Sequence, residues 1–236
     1  MGQKMPPLAM RIGVVEPWRS RWFARKGEFG RFLVEDHKIR SYIEANYGFA
    51  QISRVDIERT HSQLVLTIYT ARPALLIGRR GAQIEKLQSE IQALTEMDVQ
   101  PPRIVEVERA ELDARLVAES IKEQILRRAH HRRVMKRVAQ ASMDAGAIGI
   151  KIQVKGRIGG AEMARKEHMI MGKIPLSTLR AKIDYALAEA TTKYGQIGIK
   201  VWIYTGEYAA LKEHKPYETG AEKDTAPEGA KGKSKR

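Results

Sequence analysis

The stretch Ile77-Gly78-Arg79-Arg80-Gly81 decides how this chain reads. Upstream, Leu64, Leu66 and Ile68 alternate with Val65, Thr67 and Tyr69, the period-2 pattern of a half-buried strand. Downstream, Ile84, Leu87, Ile91 and Leu94 recur at the spacing of one helix face. The two glycines therefore bracket two arginines at the head of an amphipathic helix. Glycine lacks a Cβ, so it takes φ > 0 and lets another backbone approach closely. A helix start offers free N–H groups and a positive dipole end, and arginine adds fixed charge with planar donors. A Gly-x-x-Gly met alone is more often a plain tight turn before a helix. With these flanks it describes a clamp for a sugar-phosphate backbone.

Working outward, Phe29, Phe32, Leu33, Ile39 and Ile43 lie close to helical spacing over Phe29 to Tyr47. Val55 and Ile57 alternate with Arg54, Asp56 and Glu58 in a strand ahead of the Leu64 strand, and a short apolar segment, Ala74 to Ile77, leads into the glycine loop. Pro101-Pro102 stop any continuation of the helix, and Ile104, Val105 and Val107 read as a third strand. The order helix, strand, strand, short helix, Gly-x-x-Gly, helix, strand is that of a type II KH domain, a three-stranded sheet with helices on one face.

The chain then restarts. Leu112, Leu116, Ala118 and Ile121 begin a helix with acidic residues in its first turn, and a second helix runs from about Arg132 to Met143. Ile148-Gly149-Ile150-Lys151 and Ile197-Gly198-Ile199-Lys200 open two strands with one shared pattern, too short to define a repeat. Arg165 to Met171 reads as a further strand, and Pro175 opens a helix carrying Leu179, Ile183, Ala186 and Leu187. The predicted class is α+β: an N-terminal arm (1–28) that docks by its tryptophans, Trp18 and Trp22, a KH domain (29–110), a C-terminal α+β domain (111–208), and a Lys/Glu/Gly-rich tail (209–236) too poor in apolar residues to bury a core.

Charge points to the partner. The 236 residues carry a formal net charge of +14, distributed as +4 over residues 1–110, +9 over 111–206 and +1 over 207–236. The excess belongs to a folded segment and favours an anionic partner, nucleic acid or an anionic membrane surface. Absence of cysteine excludes disulfides, thiol catalysis and zinc ribbons. No apolar run reaches the roughly 18 residues of a membrane span, and no apolar secretory core opens the chain, which leads to the expectation of a soluble intracellular protein.

The second helix of the C-terminal domain concentrates that charge. At about 100° per residue, Arg132, Lys136, Arg133 and Arg137 fall near 0°, 40°, 100° and 140°, whereas Ala141, Val134 and Val138 fall near 180°, 200° and 240°. A solvated face usually mixes signs, yet Arg127 to Arg137 contains no acid. Nucleic acid is the favoured occupant; a membrane surface is not, because the polar face carries no anchoring Trp or Phe. Arg127 and Arg128 extend the cluster, and Lys4, Arg11, Arg72 and Arg157 are further candidate RNA contacts. Gly156-Arg157-Ile158-Gly159-Gly160 lacks the Gly-Lys-Ser/Thr of a phosphate loop and reads as a hairpin turn. His130 and His131 are adjacent, so their rings are expected to diverge, and neither a metal-ligand spacing nor a catalytic constellation appears. No cofactor is expected.

Several stretches resemble the bacterial-type small-subunit ribosomal protein S-three family: Pro17-Trp18-Arg19-Ser20, Thr70-Ala71-Arg72-Pro73 running into Gly78-Arg79-Arg80-Gly81, Arg132-Arg133 with Lys136-Arg137, Gly156 to Glu162, Pro175 to Tyr185, and Val201-Trp202-Ile203. The resemblance spans residues 1 to about 208. It implies a ribosomal component of the small-subunit head, cytoplasmic with the ribosome and not an enzyme. Its implied partners are small-subunit ribosomal RNA, messenger RNA, and the neighbouring head proteins ten and fourteen. It also implies that the chain lines the tunnel through which messenger enters, with Arg132, Arg133, Lys136 and, more weakly, Arg137 on a helix implicated in messenger unwinding. Many relatives place an aromatic where this chain has His131. Two rivals differ in kind: a free-standing KH regulator, and a nucleic-acid enzyme such as a DNA lyase, which would require a buried lysine or carboxylate in a cleft.

Overall fold

Strand alternation builds the first sheet. In the computed structural model, which describes residues 5–208, β2 (Ile52–Arg59) and β3 (Gln63–Thr70) pair antiparallel, with Ile57 opposite Leu66 and Val55 opposite Ile68. Their inward residues meet Ile39, Ile43 and Tyr47 of α1 (Phe29–Tyr47) together with Leu76 of α2 (Pro73–Ile77) and Leu87 and Ile91 of α3 (Ala82–Gln92) in one buried cluster. Pro73 opens α2 because a first-turn residue needs no N–H donor. Helix α3 ends at Gln92, so Leu94 lies beyond it and is half-buried. β5 (Arg103–Glu106) runs parallel to β3.

Two strands of two residues each enlarge the expected three-stranded sheet to five: β1 (Ser20–Arg21), parallel to β2, and β4 (Asp98–Val99), parallel to β3. Two residues cannot display a period. Strand β1 brings the arm onto α1. Trp22 packs on Phe29 and Phe32, with ring centroids 5.3 and 5.8 Å away, and its indole N–H donates to Asp36 at 2.9 Å. Asp36 also accepts from Arg59 at 2.7 and 3.0 Å, and from Ser20 at 3.0 Å. Trp18 does not dock; it is 64% exposed. Phe29 and Leu33 are likewise outside the core, because the arm covers only one flank of the first turns of α1.

In the second half, α4 (Ala114–Leu126) and α5 (His131–Asp144) cover one face of an antiparallel sheet of order β7-β6-β9-β8. These strands are β6 (Gly149–Gly156), β7 (Arg165–Gly172), β8 (Ala181–Thr192) and β9 (Gly195–Glu207), and the two similar Ile-Gly-Ile-Lys stretches start the central pair. The second buried cluster joins Ile121, Val134, Met135 and Ala139 to Ile152, Val154, Ile199 and Val201. Helix α4 starts after the predicted point. Leu112 sits in a preceding 3₁₀ turn, and Asp113 caps the helix by accepting from the N–H groups of Arg115 at 2.9 Å and Leu116 at 3.1 Å.

The helix expected after Pro175 is instead strand β8. Alanine-rich sequence favours a helix locally, but Asp184, Ala186, Ala188 and Ala190 all point to the helix-covered face at period 2. Small side chains there let α4 pack directly over the strand. On the opposite face Ile183 pairs with Tyr204 under Ile174 and Leu176. Tertiary packing overrides propensity here.

Several links join the two halves among the described residues. Ser53 on β2 donates to Asp113, Arg115 on α4 pairs with Glu44 on α1, and the arm reaches the second sheet through Arg11. Tyr208 also donates to Glu16 of the arm, and Arg109 to the carbonyl of Ala145 at 3.3 Å.

Candidate nucleic-acid interface

The glycine loop has the backbone that its sequence requires. Gly78 sits at φ 69°, ψ −174°, a region essentially reserved for glycine, and a Cβ there would lie 2.7 Å from the Cβ of Gln83. Gly81 stands at φ 83°, ψ 1° as the residue before α3. Between them Arg80 also takes a left-handed conformation, φ 55°. The effect is a sharp turn that exposes Arg79 and Arg80 beside the open start of α3, with no hydrogen bond or ion pair to either side chain among the described residues. Arg72, just before α2, is exposed as well. Leu75, Ile77 and Val105 are 44%, 40% and 39% exposed, on α2 and on the adjacent edge strand β5. They line an apolar floor next to the cationic turn, suited to unstacked bases. In the sequence these side chains read only as a short apolar segment and part of a strand, which does not fix their exposure. The available signal was that a five-residue helix and an edge strand each have one uncovered side.

The second cluster is built on α5. Its buried residues are Val134, Met135, Ala139 and Ser142, so the covered arc is rotated from the predicted one and Ala141 is exposed. That rotation puts Arg132 at the border of the buried arc, where it reaches β7: its guanidinium donates to Glu167 at 3.0 and 3.2 Å. His131 Nε2 lies 2.9 Å from the same carboxylate. These partners, Arg132 first, depress the Glu167 carboxyl from its ordinary 4.5 to about 2. Arg137 donates to Gln124 on α4. Arg133 and Lys136 are exposed and, among the described residues, have no hydrogen-bond or ion-pair partner. Glu167 was missed in the sequence because nothing local marks a residue 35 positions away as a partner.

The remaining candidates divide. Arg127 is 80% exposed beside Glu123 at 3.8 Å, and Arg128 is exposed in a left-handed conformation at the end of α4. Arg128, His130, His131, Arg157 and Tyr194 border a cleft of about 640 Å³. Within it Arg157 braces the β6–β7 connection, donating to the carbonyls of Ala161 at 2.9 Å and Tyr194 at 3.2 Å. The histidine rings do not diverge: they stack at 4.8 Å, because His130 precedes the helix with an extended ψ of 116°. Among the described residues no group of three or more His, Asp or Glu could hold a metal, and no helix is long and apolar enough to cross a membrane.

Arg11 is corrected outright. It is 0% exposed, and its guanidinium donates to the carbonyls of Ala181, Thr178, Pro7 and Leu176 at 2.8, 2.7, 2.8 and 3.2 Å. With its donors turned inward it ties the arm to the second sheet and offers nothing to RNA. Lys4 and the tail lie outside the described residues.

The comparisons agree with this architecture. Residues 38–112 match the KH domain family, and residues 121–203 match the family described as ribosomal protein S3, C-terminal domain. The chain is 49% identical over 230 residues to the small ribosomal subunit protein uS3 of Cereibacter sphaeroides, covering 98% of this chain and 95% of that one. This chain belongs to the uS3 family of small-subunit ribosomal proteins. The uS3 protein of Finegoldia magna is 51% identical over 207 residues (88% of this chain, 84% of the relative), and that of Listeria monocytogenes is 49% identical over 214 (91% and 97%). The uS3 relatives are ribosomal proteins, not enzymes, and the α+β arrangement of KH and C-terminal units is the family's own.

Proposed function

We propose that this chain is a structural component of the small-subunit head, resident on cytoplasmic ribosomes. In this reading it holds ribosomal RNA through Gly78, Arg79, Arg80 and Gly81 and presents α5 to incoming messenger. The observation that carries the messenger reading is the state of Arg133 and Lys136. They project from a helix whose opposite face is anchored in the second core, and no acid among the described residues pairs with them. Fixed cations on a rigid element attract a phosphate backbone and release its counterions. Arg132 and Arg137 are already held by protein partners, Glu167 and Gln124, so they frame the strip and the free pair engages it. Such a strip could bias a duplex toward its opened strands without nucleotide hydrolysis, which makes the unwinding passive or driven by translocation.

Buried clusters that stay within one half or the other support a division into arm, KH domain, C-terminal domain and tail at 1–28, 29–110, 111–208 and 209–236. The exposed Phe23, Leu33 and Val34 near the arm suit neighbouring head proteins, for which those numbered ten and fourteen are the family candidates. The test is translation by ribosomes carrying Arg132→Ala, Arg133→Ala and Lys136→Ala. Subunit assembly is expected to persist, with slowing at messenger hairpins and normal speed on unstructured messenger. Equal slowing on both would refute the unwinding role.

A further inference from the structure

Only one face of the β7-β6-β9-β8 sheet is covered by helices. The other face is closed at one end, where Ile174, Leu176 and one side of the half-buried Trp202 pack on Ile183 and Tyr204, and among the described residues it is otherwise open. Three features of the open part and its border with that closed end go beyond what the fold needs. First, Lys155 and Lys166 are directly opposite each other on β6 and β7, both exposed. Like charges at opposed positions destabilise a sheet, and in the same face Lys151 and Lys200 bring the lysines on the strands to four against a single strand acid, Glu189. Secondly, Tyr185 and Trp202 are also opposed, with ring centroids 5.3 Å apart, and the Lys151 ammonium lies 5.1 Å from the centre of the Trp202 ring. Thirdly, the middle of β9 carries Gly198 on this face, between Lys155 and Glu189. Its φ is not positive, and an added Cβ would meet nothing nearer than 3.9 Å. Neither backbone nor packing requires glycine there. A glycine inside a strand weakens it and marks places where something approaches closely.

We propose that this uncovered sheet face binds a single-stranded segment of RNA. Lys155, Lys166 and Lys200 would take the phosphates, Trp202 and Tyr185 would stack unpaired bases, and Gly198 would leave the floor flat between them. A four-stranded sheet with aromatics on its open face and a basic surround is a recurrent way to hold unpaired bases, because every base offers a π-face. Two flat rings beside a bare backbone position favour bases over an acidic peptide, which would need only the lysines. The surface lies across the sheet from α5, so it is separate from the messenger strip, and it rests on the reading of this chain as an RNA binder.

The test uses assembled small subunits containing the full chain, irradiated to form zero-length RNA–protein crosslinks that are mapped by mass spectrometry. Crosslinked nucleotides are expected on the peptides bearing Trp202 or Tyr185. Gly198→Leu is expected to cut that signal about tenfold, as loss of a stacked base implies, while crosslinks at Gly78 to Gly81 stay unchanged as the reference. If Gly198→Leu does not enter subunits, Lys155→Gln with Lys166→Gln takes its place with the same expectation. Crosslinks at the glycine loop without any on the sheet overturn this proposal alone. An amine-reactive reagent joining Lys155, Lys166 or Lys200 to another protein, with no RNA on the sheet, overturns it in favour of a protein neighbour. RNA crosslinks at neither place overturn both this proposal and the RNA-binding role of the loop.

Discussion

Replacing Gly78 by alanine should cost far more than replacing Gly81, although both sit in one motif and both have positive φ. At Gly78 two penalties combine. The conformation φ 69°, ψ −174° is nearly closed to residues with a Cβ, a strain of about 1–3 kcal/mol. The new methyl would also stand 2.7 Å from Gln83 Cβ and 3.2 Å from its backbone nitrogen, an overpacking of about 1–3 kcal/mol. Allowing for local relaxation, the total is about 3 kcal/mol. At Gly81 the conformation is ordinary left-handed helical and nothing lies within 4 Å, so only about 1–2 kcal/mol of backbone strain applies. Alanine also restricts the unfolded chain, stabilising by about 0.4–1 kcal/mol, but it does so at both positions and cancels in the comparison. The expected gap of about 1–2 kcal/mol, divided by a urea m-value near 2 kcal/mol/M, separates the unfolding midpoints by about 0.5–1 M. Urea unfolding followed by tryptophan fluorescence measures it, with Trp22 reporting the first domain. Gln83→Ala should not relieve the Gly78→Ala defect, because the clash is with Cβ itself. Gln83→Gly should recover the steric part, less about 1 kcal/mol for glycine in a helix. Identical midpoints for Gly78→Ala and Gly81→Ala would refute the contact argument.

Two further outcomes follow from the buried and half-buried charges. Asp36→Ala removes four hydrogen bonds and leaves the Arg59 guanidinium buried with only Glu35, at 2.8 Å, to answer its charge; a loss of about 3 kcal/mol and release of the arm to protease are expected, and unaltered cleavage of the arm would contradict its anchoring by this carboxylate. Glu167→Gln should change the acid limb of stability: because the folded carboxyl titrates near 2 against an ordinary 4.5, its contribution is complete above about pH 4.5 and disappears as pH falls toward 2. The melting temperature of the parent should therefore drop more steeply than that of Glu167→Gln across this window, and parallel curves would show that Arg132 and His131 do not hold the carboxylate.

Much of this protein is local in origin, and the sequence determined it alone. Period-2 alternation at Leu64 to Tyr69 and the helical spacing of Ile84, Leu87 and Ile91 follow from backbone geometry repeated over a few residues, so the elements around the glycine loop read correctly. The loop itself was legible because positive φ and close approach select glycine whatever surrounds them. The strip on α5 was legible because side chains three and four apart share a face. Tertiary structure decided the rest, and each case turns on a partner distant in the chain. Ala181 to Thr192 became a strand because α4 packs closely over its alanines, an energy that local propensity does not contain. Arg11 became a buried tie because carbonyls at Leu176, Thr178 and Ala181 converge on it. Arg132 was taken by Glu167, leaving Arg133 and Lys136 as the open cations, because sheet register set which side chain of β7 faces the helix. Charge type is written in the sequence; which charges remain unpaired is settled only when the chain brings distant residues together.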